Sequence, residues 1–209
     1  MRRLLQKYPQ VLAFLLFPLL GGLYFLSQQL PLQYHSVFLR ADGRIPFLPG
    51  FVLFYMLWYL YVPAPMLYAC FRRKELFLRQ CLTLFPGAMV CTLVFFLWPS
   101  RIDFRPDATG EGVLRALVRL IYRVDAPVNV FPSLHCYEAL AIHLATFHSR
   151  PGLKRRVLRW GSAALCAFIC ASTLLIRQHS LADLLSGCAL AAAMHGLVHI
   201  FYDKRRAST

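Results

Sequence analysis

Charge is what this sequence has least of. Only 15% of its 209 residues are Asp, Glu, Lys or Arg, against about 25% in an ordinary soluble domain. With 58% hydrophobic residues, that shortage excludes a water-soluble globular fold. It points to an integral membrane protein with little chain outside the bilayer. Acidic residues are scarcer still, 9 against 23 Lys and Arg, for a net charge of +14. The basic residues lie between apolar runs and no soluble basic domain carries them, so no nucleic-acid partner is expected. C-x-x-C pairs are missing too: the seven cysteines fall mostly inside apolar runs and read as small packing residues. The start, Arg2-Arg3 and then an apolar run from Val11, is like a signal peptide. No small-residue cleavage site closes that run, and Tyr24-Phe25-Leu26 continues it, so a retained first membrane helix is expected.

What is present is a series of apolar runs. Spans of about 17–25 residues are expected at about 9–26, 46–71, 76–98, 133–148 and 160–176, with a sixth from the stretch 176–183 to about 202. The fold class is all-α: a polytopic membrane protein of six transmembrane helices in a single domain over 1–209. Gly21-Gly22 suit a close helix approach or a bend, Pro63 and Pro65 kink the second span, and Pro86-Gly87 interrupt the third. Residues 113–124 read differently. Arg115, Arg119 and Arg123 recur every four residues, while Leu114, Leu117, Val118 and Ile121 fill another face. This is the pattern of a short amphipathic helix at the membrane surface, with the arginines towards anionic lipid.

The charge distribution orients the spans. With both termini cytoplasmic, Arg2, Arg3, Lys7, the turn at 72–74 with Arg79, the basic loop 149–159 and Lys204-Arg205-Arg206 all fall inside, as the positive-inside rule requires. Arg40, Arg44, Arg101, Arg105, Arg115, Arg119, Arg123 and Arg177 remain outside, and orientation does not explain them. Short loops suit a bacterial inner membrane.

In that topology three stretches meet at the outer face: 101–107, 131–135 and 177–183. They bring arginines, His135, His179 and Asp183 to one membrane level, where ionisable residues mark function. In a helix starting at His179, the imidazole and the Asp183 carboxylate four residues on share a face. The carboxylate fixes one ring nitrogen and leaves the other as nucleophile or base. Arg105, Arg177 and Arg101 offer cationic forks for a phosphate, and helix starts near Ser133 and His179 offer free N–H groups. His135 as imidazolium can protonate a leaving alkoxide. The chemistry that fits is phosphoryl transfer at a lipid headgroup. The arginines oppose a bound cation, so neither a metal nor a cofactor is expected.

Arg105-Pro106, Pro132-Ser133-Leu134-His135 and His179-x-x-x-Asp183, in that order, resemble the phosphatidic acid phosphatase type 2 superfamily of membrane lipid phosphatases and phosphotransferases. The motif-bearing core spans about 76–202. The resemblance implies His179 as nucleophile, Asp183 as its orienting partner, His135 as acid and base, and Arg105 and Ser133 as phosphate ligands. Trp98, Leu134 and Thr173 stand where the family has lysine, glycine and arginine. Arg101 and Arg177 are the chemical substitutes for the two missing cations. These departures resemble the branch that includes inositol phosphorylceramide synthases.

The implied activity is hydrolysis of a lipid phosphomonoester or pyrophosphate through a phospho-histidine. Transfer of a phospho-headgroup to an alcohol is the alternative, and a non-catalytic lipid-binding or transport relative is a third reading. Glu138, three residues after His135 on the same face, is a candidate for tuning that histidine or binding a substrate hydroxyl. Asp103 and Asp107 are expected to pair with Arg101 and Arg105. His143, His195 and His199 are expected in structural roles.

Overall fold

The computed structural model describes residues 7–30, 33–147 and 153–203. Arg2, Arg3, Lys204-Arg205-Arg206 and the first part of the 149–159 loop lie outside these residues. The chain is helical almost throughout. A 3-10 turn at Pro9–Leu15 leads into α1, Leu16–Gln29. The second run is two helices, α2 at Val52–Tyr61 and α3 at Pro63–Arg72, broken at Val62 where the prolines begin. Then come α4 (Lys74–Leu97), α5 (Val113–Val124), α6 (Leu134–Thr146), α7 (Leu153–Leu175) and α8 (Leu181–Val198), the last running on as a π-helical turn to Asp203.

Among the described residues five helical stretches are long and apolar enough to cross a membrane: Pro9–Gln29, Pro49–Arg72, Lys74–Leu97, Arg156–Leu175 and Leu181–Asp203. The sixth expected span, α6, has 13 residues. It lies at the centre of the bundle against α4, α7 and α8, so its length is set by packing against protein. The expected interruption at Pro86-Gly87 is absent, and α4 runs straight through it. A proline removes one N–H and disturbs the carbonyls around it. Here the Tyr137 hydroxyl of α6 donates to the Thr83 carbonyl and lies 3.1 Å from that of Leu84. Gly87 makes room for that hydroxyl, since a Cβ there would overlap it. A hydroxyl from a neighbouring helix thus satisfies backbone that the bilayer cannot.

The core is apolar and close-packed. Val62, Met66, Phe77, Leu84, Phe95 and Ile142 form its main cluster. Cys136, Cys166 and Cys170 pack between α6 and α7 as free thiols. Lipid chains are as apolar as leucine, so close fit rather than escape from water holds such helices together. The tightest approach of a glycine to backbone of another helix start is at Gly187 of α8, where a Cβ would lie 2.5 Å from the Ser133 carbonyl oxygen.

Two short strands sit at one end of the bundle, β1 (His35–Ser36) and β2 (Ser100–Arg101), paired in parallel. Arg101 also bridges Val128. Asn129, at φ 55°, donates its N–H to the Ser100 carbonyl at 2.6 Å. The Ser100 hydroxyl accepts from the N–H groups of Val130 and Phe131 at 3.1 and 2.9 Å. This small platform delivers the chain, through a cis Phe131–Pro132 bond, to the start of α6.

Candidate active site

Two helix starts meet beneath that platform. Ser133 caps α6, its hydroxyl accepting from the Cys136 N–H at 3.3 Å. Its own N–H donates to the Asp183 carbonyl at 3.0 Å. Ser180 caps α8 in a reciprocal box: its hydroxyl accepts from the Asp183 N–H at 3.3 Å, and Asp183 Oδ2 accepts from the Ser180 N–H at 2.7 Å. The helix therefore starts two residues later than expected, at Leu181, and His179 lies just before the cap. The reason is the serine, a better cap than a histidine. The expected pair still meets. His179 Nδ1 and Asp183 Oδ2 are 3.4 Å apart, with side chains 8% and 0% exposed. One carboxylate oxygen thus anchors the helix start and faces the imidazole.

Burial alone would strip a proton from the His179 ring. The Asp183 carboxylate overcomes it, with smaller help from Asp125, and the pKa ends above the ordinary value. The His135 ring lies 5.9 Å from that of His179, centroid to centroid. It is sandwiched by Tyr55 at 4.4 Å and Trp58 at 4.3 Å, and its Nε2 is buried without a partner. Both histidines line one cavity of about 220 Å³, together with Asp125, Asn129 and Glu138.

The three arginines behave differently. Arg105 donates to the Asp125 carbonyl at 2.9 Å and stacks on Tyr122 at 4.7 Å. Its Nε is buried and unpartnered, and burial pulls its pKa below the usual guanidinium range. It does not pair with Asp107 as expected, because the Asp125 carbonyl and the Tyr122 ring hold it. Arg101 pairs with Asp103 at 3.0 Å, both half-exposed, and neither lines the cavity that the histidines share. Arg177, at φ 55°, donates to the carbonyls of Asp42, at 2.7 Å, and Ile45. Its guanidinium thus ties the turn to the first loop. His143 is hydrogen-bonded as expected, Nδ1 to the Ser162 hydroxyl at 2.9 Å.

Two acidic residues that the motifs pass over organise this site. Asp125 accepts from the hydroxyls of Tyr24 and Tyr55, at 2.5 and 2.9 Å, and from the Gln178 amide at 2.9 Å. It thereby fixes the residue next to His179. Asp42 is fully buried. Its Oδ1 accepts from the Leu181 N–H at 2.8 Å and its Oδ2 from the Leu39 N–H at 2.7 Å. With Arg177, and with the Leu48 N–H on the Leu175 carbonyl at 2.8 Å, Asp42 clamps the whole 175–181 turn. Tyr122 completes the clamp by donating to the Ile176 carbonyl at 2.6 Å; burial pushes its hydroxyl up to about 12, which keeps the proton on. The signal for both aspartates was their rarity: each sits at a segment end, level with the three motif stretches.

Among the described residues no group of three His, Cys, Asp or Glu is placed to hold a metal ion. The arrangement offers a nucleophilic imidazole backed by a carboxylate, a second imidazole beside it, a buried guanidinium nearby and two helix N-termini. No curated protein and no solved structure matches the chain. Residues 116–207, which hold Ser133, His135, Glu138, Arg177, His179 and Asp183, match the family model of the PAP2 superfamily, a match that supports an activity of the phosphatase or phosphotransferase type.

Proposed function

We propose that this integral membrane protein is a lipid phosphatase or phosphotransferase working through phospho-His179. The observation that carries the reading is the His179–Asp183 pair at 3.4 Å, buried beside His135 on one cavity at the meeting of two helix starts. Asp183 holds Nδ1, and His179 Nε2 attacks phosphorus. The phosphorus–oxygen bond breaks, and the leaving alkoxide takes a proton from His135. A second attack, by water or another alcohol, then breaks the phosphorus–nitrogen bond, with His135 taking the proton back. Arg105, Ser133 and the N–H groups at the start of α6 are the phosphate ligands. Arg177 and Arg101 act one step away, Arg177 by holding the turn and Arg101 at the half-exposed rim. Both termini are cytoplasmic, the site faces outward, and the membrane is a bacterial inner membrane.

The test is incubation of the detergent-purified full chain with phosphatidic acid, a polyprenyl pyrophosphate and a phospholipid mixture, chelator present. Free phosphate and new phospholipid are read together. Wild type forms one or both and His179→Ala forms neither. Product formation by His179→Ala at the wild-type rate sinks the nucleophile assignment.

A further inference from the structure

At the end of α6 away from the two histidines lies a second cavity, of about 510 Å³, walled by Tyr61, Pro65, Ile142, Phe147, Leu158 and Leu165. Its cause is the length of α6. The 13 residues of that helix rise about 20 Å, against a hydrocarbon core of about 30 Å. The helix therefore ends inside the bilayer, and a groove opens between α3 and α7. The polar groups behind it serve one another: the Ser162 hydroxyl lies 2.6 Å from that of Tyr61 and 2.9 Å from His143 Nδ1. The wall presents hydrocarbon, which suits an alkyl chain and offers water few partners. Val157 and Leu158 at its mouth are 69% and 64% exposed, in a stretch apolar enough to cross the bilayer, so the groove opens towards lipid. At the same mouth the charge is all of one sign. Lys154-Arg155-Arg156 open α7 and Arg159 follows three residues on, with no acidic residue in the first turn. Cations at the positive end of a helix dipole are unfavourable unless an anion joins them. Arg156 and Arg159 are exposed, and among the described residues neither has an ion-pair partner. Arg159 lies close enough for its charge to act on His143. The exposed Trp160 beside it is a residue type of the membrane–water interface, which puts these cations at headgroup level.

We infer that this groove holds one chain of an anionic phospholipid, with the lipid phosphate at the basic start of α7. The leaflet is the one opposite the histidines, cytoplasmic in the proposed orientation. A basic recess between membrane helices recognises acidic headgroups, while the chain covers the apolar wall. The bound chain braces the last turn of α6, the helix whose start carries Ser133 and His135. The lipid is a structural partner and not a substrate, because the groove and the histidines stand at opposite ends of α6. The inference does not depend on the phospho-His179 reading.

The test is photolabelling of the detergent-purified full chain with a phosphatidylglycerol carrying a mid-chain diazirine, beside thermal unfolding with and without the unlabelled lipid. The expected label falls on the peptides holding residues 61–65 and 157–165. Unlabelled phosphatidylglycerol removes it. Phosphatidylcholine competes about fivefold more weakly or worse, and inorganic phosphate, which has the charge without the chain, does not compete. Arg159→Gln weakens labelling about fivefold, the worth of one basic residue at an anionic surface. In Gly161→Trp the indole fills the groove that Gly161 lines. A Cβ there meets nothing within 4 Å, so the variant folds, and its Tm in lipid-free detergent stays at or above that of wild type. It loses the label and no longer gains Tm from the lipid, as wild type does. His179→Ala keeps the label. Equal labelling of wild type and Gly161→Trp overturns the inference, as does equal competition by phosphatidylcholine and phosphatidylglycerol, or a label confined to the histidine cavity at Phe17 and Phe85.

Discussion

Asp183→Asn isolates charge from geometry at the centre of the site. The asparagine oxygen can still accept the Ser180 N–H now held at 2.7 Å, so the start of α8 survives. What disappears is the negative charge 3.4 Å from His179 Nδ1. At an effective dielectric of about 20, a full charge pair at that distance is worth about 5 kcal/mol before burial costs. A phosphorylated imidazole that keeps its Nδ1 proton is cationic, so the attack on phosphorus draws on that attraction as it proceeds. If half or more of it is realised, the loss at about 1.4 kcal/mol per factor of ten is on the order of 10²–10⁴ in kcat.

The pH profile gives an independent check. His179 is raised in the folded chain because Asp183 outweighs burial. Attack needs the deprotonated Nε2, so activity climbs as pH rises through that folded value, which lies above about 6.5. In Asp183→Asn the acid limb moves to lower pH even as the plateau falls. Stability follows the same linkage: protonated His179 stabilises the wild type fully below about 6.5, and that contribution fades as pH rises through the folded value. The variant's deficit in Tm is therefore largest in acid. Steady-state rates and thermal unfolding in detergent across pH 5–9 measure both. Retention of more than about a third of wild-type kcat, or an acid limb that does not move, refutes the reasoning.

Three further outcomes follow from single contacts. Gly187→Ala places a methyl 2.5 Å from the Ser133 carbonyl; backbone cannot yield cheaply, so thermal unfolding should show a loss of about 1–3 kcal/mol together with reduced turnover, since the same carbonyl belongs to the cap residue of α6. Tyr137→Phe removes the hydroxyl that serves the Thr83 and Leu84 carbonyls and should cost about 1–3 kcal/mol with kcat little changed, read by chemical denaturation beside activity. Asp42→Ala frees the Leu181 and Leu39 N–H groups and loosens the turn that carries His179; kcat should fall by about tenfold or more with KM nearly constant, and Asp42→Asn, able to serve one of the two donors, should recover part of it.

The helical class and most segment ends were legible because apolar run length is a one-dimensional signal, and a bilayer tolerates few alternatives to helices. The failures came where tertiary contacts override a local rule. Pro86 breaks a helix in isolation, but the Tyr137 hydroxyl reaches across from α6 to serve the carbonyls beside it. No window around residue 86 contains that tyrosine. The α6 segment reads as a full span from its apolar residues, yet it is a short helix enclosed by its neighbours.

The site shows the same division more sharply. That His135, His179 and Asp183 come together could be anticipated because spacing within a helix turn and residue type at helix starts are local signals. The arginines could not be sorted, since a guanidinium serves a phosphate or a carbonyl with the same five donors. Arg177 binds the Asp42 and Ile45 carbonyls, a partnership about 135 residues long that sequence spacing cannot reveal. Arg105 alone of the three is buried with an unpartnered nitrogen. On the proposed reading, one buried guanidinium rather than three leaves more of the hold on phosphate to helix starts and hydrogen bonds.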